Sequence, residues 1–326
     1  MRLWLPPIFL LGMLFFAISV GQYAIPLGEL LQSIVSLITG KPLTDAEFII
    51  WNIRFPRILT ALLVGAALAI SGATYQGMFR NPLVSPDILG VSAGSGLGAV
   101  VAIYFDLPIL GIQLLAFLFG LATVGIVYLV SQLVRRLDPI LALVLAGIAI
   151  SALLGAGISL IKLLSDPYSQ LTMITFWLMG SLTMATMSDL YVVGPIFMIG
   201  MIPLILLRWR MNLLSLDDEE ALALGVNIKL LRLIFIISAT MMTSAAVSIT
   251  GIIGWIGLVI PHIARLLVGP DFRKLLPTSL FIGAGFLILT DTVARTFFPI
   301  EIPLSILTAF IGAPFFIGLL IKGGRR

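Results

Sequence analysis

Few residues of this 326-residue chain carry reactive chemistry, and their spacing narrows what that chemistry can be. The single histidine, His262, follows Pro261 and has no carboxylate spaced to orient it, so packing or capping suits it better than catalysis or metal ligation. Ser95 and Gly96 resemble part of a GxSG nucleophile motif, but Ala93 stands where that motif has glycine. An intramembrane serine protease pairing Ser95 with His262 is therefore a remote alternative. The chain has no cysteine, which excludes a disulfide framework, thiolate-bound zinc and a thiol nucleophile. Gly40-Lys41 runs into Pro42 and does not fit a nucleotide-binding GxxxxGK[ST] loop, and the GSG at 94–96 is too degenerate for one. No catalytic residue, metal site or cofactor is expected. What remains is charge: Arg54 and Arg57 in IRFPR, Arg295 in DTVAR, and the acidic run Asp217, Asp218, Glu219 and Glu220. Arginine forks take carboxylates bidentately. The bland alternatives are interfacial snorkelling for Arg54 and Arg57, and an i,i+4 pair with Asp291 for Arg295.

The elements that position these charges are read from composition. AVILMFWYC supply 60% of the residues and DEKR only 10%, and the mean hydropathy is +1.17. A soluble domain of this length is near half apolar and a quarter charged, so part of the solvent must be lipid. Disorder, nucleic-acid binding and collagen-like structure fall on the same grounds. The net charge of +4 comes from basic residues scattered at segment ends, not from a nucleic-acid footprint.

A spanning helix needs about 20 mostly apolar residues. Such stretches occur at 4–21, 58–79, 90–105, 109–134, 139–163, 187–207, 229–250, 254–268, 276–296 and 304–322. The expected fold is thus an all-α polytopic membrane protein of about ten transmembrane helices, the eighth short enough to be a half-helix. The first stretch lacks a clear cleavage site and reads as an uncleaved span. With both termini cytoplasmic, Lys41, Arg54, Arg57, Lys162 and Arg295 lie outside and the other fourteen of the nineteen basic residues inside, a strong positive-inside bias. No connection is long enough to bury a core, so residues 1–326 form a single transmembrane domain without a soluble one.

Ionisable side chains are almost absent from the midpoints of these spans. Coupling to protons or sodium through side chains would place them there, which argues against a self-sufficient secondary carrier or channel, the more serious rival reading. Gly90, Gly94 and Gly98 form a stripe at every fourth position, and Gly251, Gly254 and Gly257 a looser cluster; both suit tight helix packing. In LLSLDDEEALALGVN, 213–227, Ser215 reads as an N-cap, the four acidic residues as a dipole-matched first turn and Gly225 as the stop. A helix of about nine residues is unstable alone and must pack on its own bundle or on a partner.

Several longer runs resemble the permease subunits of type II ABC importers, the family that takes up cobalamin, iron-siderophores, haem and, in some members, molybdate. They are IRFPR at 53–57, LLVGAALAISGATYQGMFRNPLVSPDILGVSAG at 62–94, LALG at 222–225, GLVIPHIAR at 257–265, DTVAR at 291–295 and GAPFF at 312–316, so the likeness runs almost end to end. The resemblance implies ten spans per subunit and a homodimer with the translocation pathway between its copies. It further implies two ABC ATPase subunits on the cytoplasmic side and a soluble binding protein docking from the periplasmic or extracellular side. The setting would be a bacterial or archaeal inner membrane, with ATP hydrolysis left to the separate subunit and no nucleic acid involved.

Residue by residue, the resemblance implies that Arg54, Arg57 and Arg295 grip carboxylates of the binding protein. It implies a cytoplasmic coupling helix at 215–225, with Asp217, Asp218, Glu219, Glu220, Ala221, Leu222, Leu224 and Gly225 against the ATPase. Asn81, Pro82 and Leu83 resemble a cytoplasmic gate, Pro82 breaking the helix. A second gate element precedes the fifth span in relatives; Asp138-Pro139-Ile140 departs from it here, and that role is not carried over. The pathway would be lined by the fifth and tenth spans, with Met173, Met179, Met184 and Met187 giving a pliable apolar wall around the outer extension of the fifth. An iron-siderophore is the first expectation for cargo, then haem and cobalamin, with molybdate or tungstate as the alternative.

Overall fold

The computed structural model describes residues 3–323 except 22, 24, 25, 27, 30, 31, 34, 35, 37, 38, 40–43, 135–137, 216–219, 221, 222 and 224. Each of the ten apolar stretches is a helix, and no strand occurs among the described residues. In chain order the helices are α1 (Leu5–Ser19), α2 (Asp45–Met78), α3 (Val91–Tyr104), α4 (Ile109–Leu133), α5 (Pro139–Leu164) and α6 (Gln170–Leu178). They continue with α7 (Met187–Leu206), α8 (Ile228–Thr250), α9 (Ile256–Val268), α10 (Phe272–Thr296) and α11 (Leu304–Gly323). Six of them, α2, α4, α5, α7, α8 and α10, are long and apolar enough to cross a membrane; α1, α3, α9 and the stretch Leu304–Gly318 are shorter.

Local chemistry sets the boundaries. Pro56 cannot donate to a ladder and crowds the carbonyl four residues back. The preceding turn, Ile50–Arg54, accordingly widens to a π-helix, and α2 begins at Asp45 on a Thr44–Glu47 capping box, well before the apolar run. Asp138 accepts from the amides of Ile140 and Leu141 at 2.9 and 3.1 Å, with Pro139 at the first turn. The residues that depart from the family pattern therefore make a helix N-cap. The outer extension expected for the fifth span is a separate helix, α6, because the chain breaks at Ser165–Ser169. Met173 and Met184 are exposed beside it, Met179 and Met187 half-buried.

Helix α2 is the buried axis. Its small-residue face admits α8, α9 and α10 to backbone contact. A methyl on Gly283 of α10 would lie 2.5 Å from the Gly65 carbonyl oxygen, and one on Gly72 would overlap the Gly257 carbonyl of α9. In lipid, where apolar burial gives no drive between helices, such close approach and interhelical hydrogen bonds hold the bundle. Tyr75 and Thr240 share one at 2.9 Å, and Ser71 donates to the Ala239 carbonyl at 3.1 Å. Gly94 and Gly98 seat α3 against Phe119 and Leu115 of α4, the packing role read for that stripe. Along α5 a row of leucines and isoleucines faces outward, among them Leu145, Ile148 and Leu153, a surface for lipid or another subunit.

Substituting Gly283→Ala should overpack the α2–α10 crossing and lower stability by about 1–3 kcal/mol. Gly125, with open space around its added methyl, should tolerate alanine within about 1 kcal/mol. Thermal unfolding in one detergent checks both. Equal Tm values for the two variants would show that the crossing is not close-packed.

Candidate functional site: two polar ends of an apolar bundle

The three arginines converge on one end of the bundle, where α1 and α10 finish and the π-turn of α2 stands. Arg54 donates to the Ile18 and Tyr23 carbonyls, and Arg295 donates to the Ala17 carbonyl at 2.5 Å. Ala17 and Ile18 belong to the last turn of α1, whose carbonyls have no intrahelical partner. Two guanidinium groups thus cap one helix C-terminus, where the dipole also favours cations. Gly21 lies against both: a methyl there would sit 3.0 Å from Arg295 Nη1 and from Arg54 Cζ.

Arg57 is held differently. Its Nε donates to both Asp291 oxygens at 3.1 and 2.9 Å and its Nη2 to Asp291 Oδ1 at 2.8 Å. Its other edge meets Glu301, Nη1 to Oε1 at 2.9 Å and Nη2 to Oε2 at 3.1 Å. The Asp291 side chain is 3% exposed and that of Glu301 36%. Arg295 Nε reaches Asp291 Oδ2 at 3.8 Å, the i,i+4 pair read as the bland alternative, but Asp291 is spent mainly on Arg57. Arg54 and Arg57 are both buried, at 4% and 9% exposure, so neither presents the open fork expected of them. Burial opposes ionisation of Glu301, yet the hydrogen bonds from Arg57 and Thr183 outweigh it and hold its carboxyl below the usual range.

Glu301 accepts from Thr183 Oγ1 at 2.5 Å. Thr183 belongs to a segment, 179–183, that follows α6 and is pinned by main-chain bonds. Ser181 donates to the Thr250 carbonyl at 2.8 Å, Leu304 to that of Gly180 at 2.9 Å and Ser305 to that of Met179 at 3.2 Å. Gly180 takes a φ of +72° and Gly251 one of +70°, which lets the segment and the end of α8 lie backbone to backbone. The sequence carries no sign of Glu301 or Thr183, because Glu301 meets Arg57 across 244 positions and Thr183 meets Glu301 across 118. Only the excess of arginine over carboxylate at IRFPR and DTVAR hints that another anion is required.

At the opposite end α2 stops at Met78, ahead of Pro82, and Arg80 turns the chain with a φ of +50°. Helix breaking therefore precedes the proline to which it was ascribed. Asn81, Pro82 and Leu83 are all exposed, and Asn81 Oδ1 accepts from the Leu83 amide at 2.9 Å, an Asx turn. Arg80 Nε donates to the Leu214 carbonyl at 2.7 Å and so ties this turn to the 3₁₀ segment Arg210–Ser215. Ser215 is the last residue of that segment, and residues 216–219, which would show whether it caps a helix, lie outside the described residues. Of the expected coupling residues, Glu220 is helical and exposed and Gly225 turns with a φ of +76°. Asp217, Asp218, Glu219, Ala221, Leu222 and Leu224 lie outside the described residues. Asn212 bonds Asp271 at 2.9 Å and the Phe272 amide at 3.0 Å, fixing the segment to the start of α10.

His262 is half-buried on α9, one turn from Arg265, whose Nη2 donates to Gln76 at 3.1 Å. Ser95 is fully buried and has no hydrogen-bond partner among the described residues, so nothing there activates it as a nucleophile. No group of three or more His, Cys, Asp or Glu able to hold a metal occurs among the described residues.

Comparison with known proteins agrees with this architecture. Residues 9–322 match the FecCD transport family. The chain is 41% identical over 311 residues to the molybdate import system permease protein of Haemophilus influenzae, covering 95% of this chain and 92% of that one. It is 41% identical over 286 residues to the hemin transport system permease protein of Yersinia pestis, covering 85% of each. A metal-chelate type ABC transporter solved in an inward-facing conformation superposes with a TM-score of 0.89 at 40% identity over 98% of both chains. The chain belongs to the FecCD transport family, as a permease of the ABC-importer kind.

Proposed function

We propose that two copies of this chain form the translocation pathway of an inner-membrane importer in a bacterium or archaeon, each copy a single ten-span permease domain with both termini cytoplasmic. A soluble binding protein delivers cargo to the arginine end, outside the membrane, and two ABC ATPase subunits act on the other. The cargo is a metal chelate, such as an iron-siderophore, haem or cobalamin, or an oxyanion such as molybdate; the haem and molybdate relatives support that range. The permease itself catalyses nothing and needs no cofactor.

The observation that carries this reading is the charge imbalance at the arginine end. Among the described residues three guanidinium groups share two carboxylates: Arg54 donates to neutral carbonyls, and Arg295 donates to one with Asp291 at 3.8 Å. A partner's carboxylates engage Arg54, Arg57 and Arg295 by displacing internal acceptors that now fill their forks. Such charges speed encounter more than they deepen affinity. At the cytoplasmic end, movement of residues 215–225 with the ATPase would reach the gate turn Asn81, Pro82 and Leu83 through Arg80 and Leu214. Asp217, Asp218, Glu219, Glu220, Ala221, Leu222, Leu224 and Gly225 supply the coupling surface in this reading. A wall holding Met173, Met179, Met184 and Met187 suits a bulky passenger by pliability.

Reversing charge with Arg54→Glu and Arg295→Glu together should weaken docking of the binding protein at least tenfold, about 1.4 kcal/mol, with the loss falling mainly on the association rate. Unchanged affinity in a surface-binding assay on the intact transporter would remove the arginines from docking. Stability should follow Glu301 as well. Its folded carboxyl is depressed, so its contribution is present above the ordinary glutamate range and is lost as pH falls through the depressed value. The Tm gap between the parent chain and Glu301→Gln should stay level from about pH 8 to about pH 5 and close only below that. A gap that closes near neutrality would contradict the assignment.

A further inference from the structure

We infer that Glu301 is an internal stand-in for a partner's carboxylate, and that its exchange on Arg57 is the step by which docking at this end loosens the 179–183 segment. The inference rests on the docking role proposed above and adds the residue through which docking is felt.

The two carboxylates on Arg57 are not equivalent. Asp291 grips the Nε–Nη2 edge from inside the bundle and is 3% exposed, so no external anion can take its place. Glu301 grips the Nη1–Nη2 edge from the mouth, is 36% exposed, and lies on the non-helical link between α10 and α11. One carboxylate replacing another on the same fork conserves charge and geometry, so the exchange is close to neutral in free energy. Adding a third carboxylate without displacement would crowd like charges around one cation.

The consequence runs through Thr183. Its hydroxyl donates to Glu301 Oε2 at 2.5 Å and shares a 2.6 Å bond with the hydroxyl of Ser181. Ser181 is in turn bound through its amide to Thr250 at the end of α8, and Gly180 through its carbonyl to Leu304 at the start of α11. Glu301 therefore links the arginine cluster to a segment that clasps α8 and α11. When Glu301 leaves Arg57, the anion that anchors Thr183 swings free, and the clasp keeps its main-chain bonds and the Ser181–Thr183 hydroxyl pair.

The chain has no cysteine, so Leu182→Cys, at a site 1% exposed, introduces a lone thiol that reports loosening. In the assembled transporter in nanodiscs, binding protein should raise the labelling rate of that thiol by about tenfold, as expected when a buried site opens locally. Glu301→Gln in this background should raise labelling without binding protein and, by vacating Arg57, tighten docking by about threefold or more. Thr183→Val should raise labelling without binding protein and, since the Arg57–Glu301 pair survives, tighten docking by less than Glu301→Gln does. A purely structural Glu301 predicts the reverse for docking: its loss would weaken the interface or leave it alone. Glu301→Gln without tighter docking, or Thr183→Val without faster labelling, overturns the inference. Unchanged docking in the Arg54 and Arg295 reversals overturns the docking role instead, and the two failures are thereby distinguished.

Discussion

Close backbone approach along α2 is the constraint on which the rest of the molecule depends. Among apolar helices in an apolar solvent there is no hydrophobic drive to associate, so contact must come from shape and from hydrogen bonds. Gly65 against Gly283 and Gly72 against Gly257 bring α10 and α9 to backbone distance from α2. That approach fixes the height of Arg57 relative to Asp291, two residues 234 positions apart. A larger residue at any of these glycines would separate the helices and with them the ion pair at the mouth. The same crossing sets Gln76 beneath the Leu258 carbonyl at 3.2 Å, next to the turn that carries Arg80. Both polar ends are thus hung from one packed axis.

The arginine end shows how a membrane protein reconciles stability with recognition. A buried guanidinium is costly unless its donors are met. Arg57 meets this with two carboxylates, while Arg54 and Arg295 meet it with the orphan carbonyls of α1. Neutral carbonyls satisfy hydrogen bonding without cancelling charge. The first helix therefore does more than add apolar length: its C-terminus holds two arginines in place.

Much of the fold was legible because lipid imposes length and polarity on each segment, and all ten apolar stretches are helices. Boundaries read less well. Helix α2 starts at Asp45 and not near Ile58, since its opening turns carry Glu47 and a π-bulge that an apolar window rejects. Helix α6 escaped because nine residues around Met173 and Trp177 are too short to register as a span. At the site, residue types singled out three arginines that converge at one end but did not name the internal groups that hold them. An arginine in IRFPR looks the same whether it faces water, a carbonyl or a carboxylate. Only the tertiary crossing of α2 with α10 decides, and Glu301 and Thr183 carry no local pattern that marks them. At Asp138 the departure from the family pattern had a local cause, an N-cap, that spacing alone can reveal.

As proposed, the chain is a conduit whose specificity and energy both come from other subunits. Uptake into proteoliposomes is the decisive measurement, with the permease alone, with its ATPase, and with ATPase, ATP and loaded binding protein together. Accumulation is expected only in the complete mixture, with none in response to a proton or sodium gradient. Gradient-driven accumulation by the permease alone would contradict it.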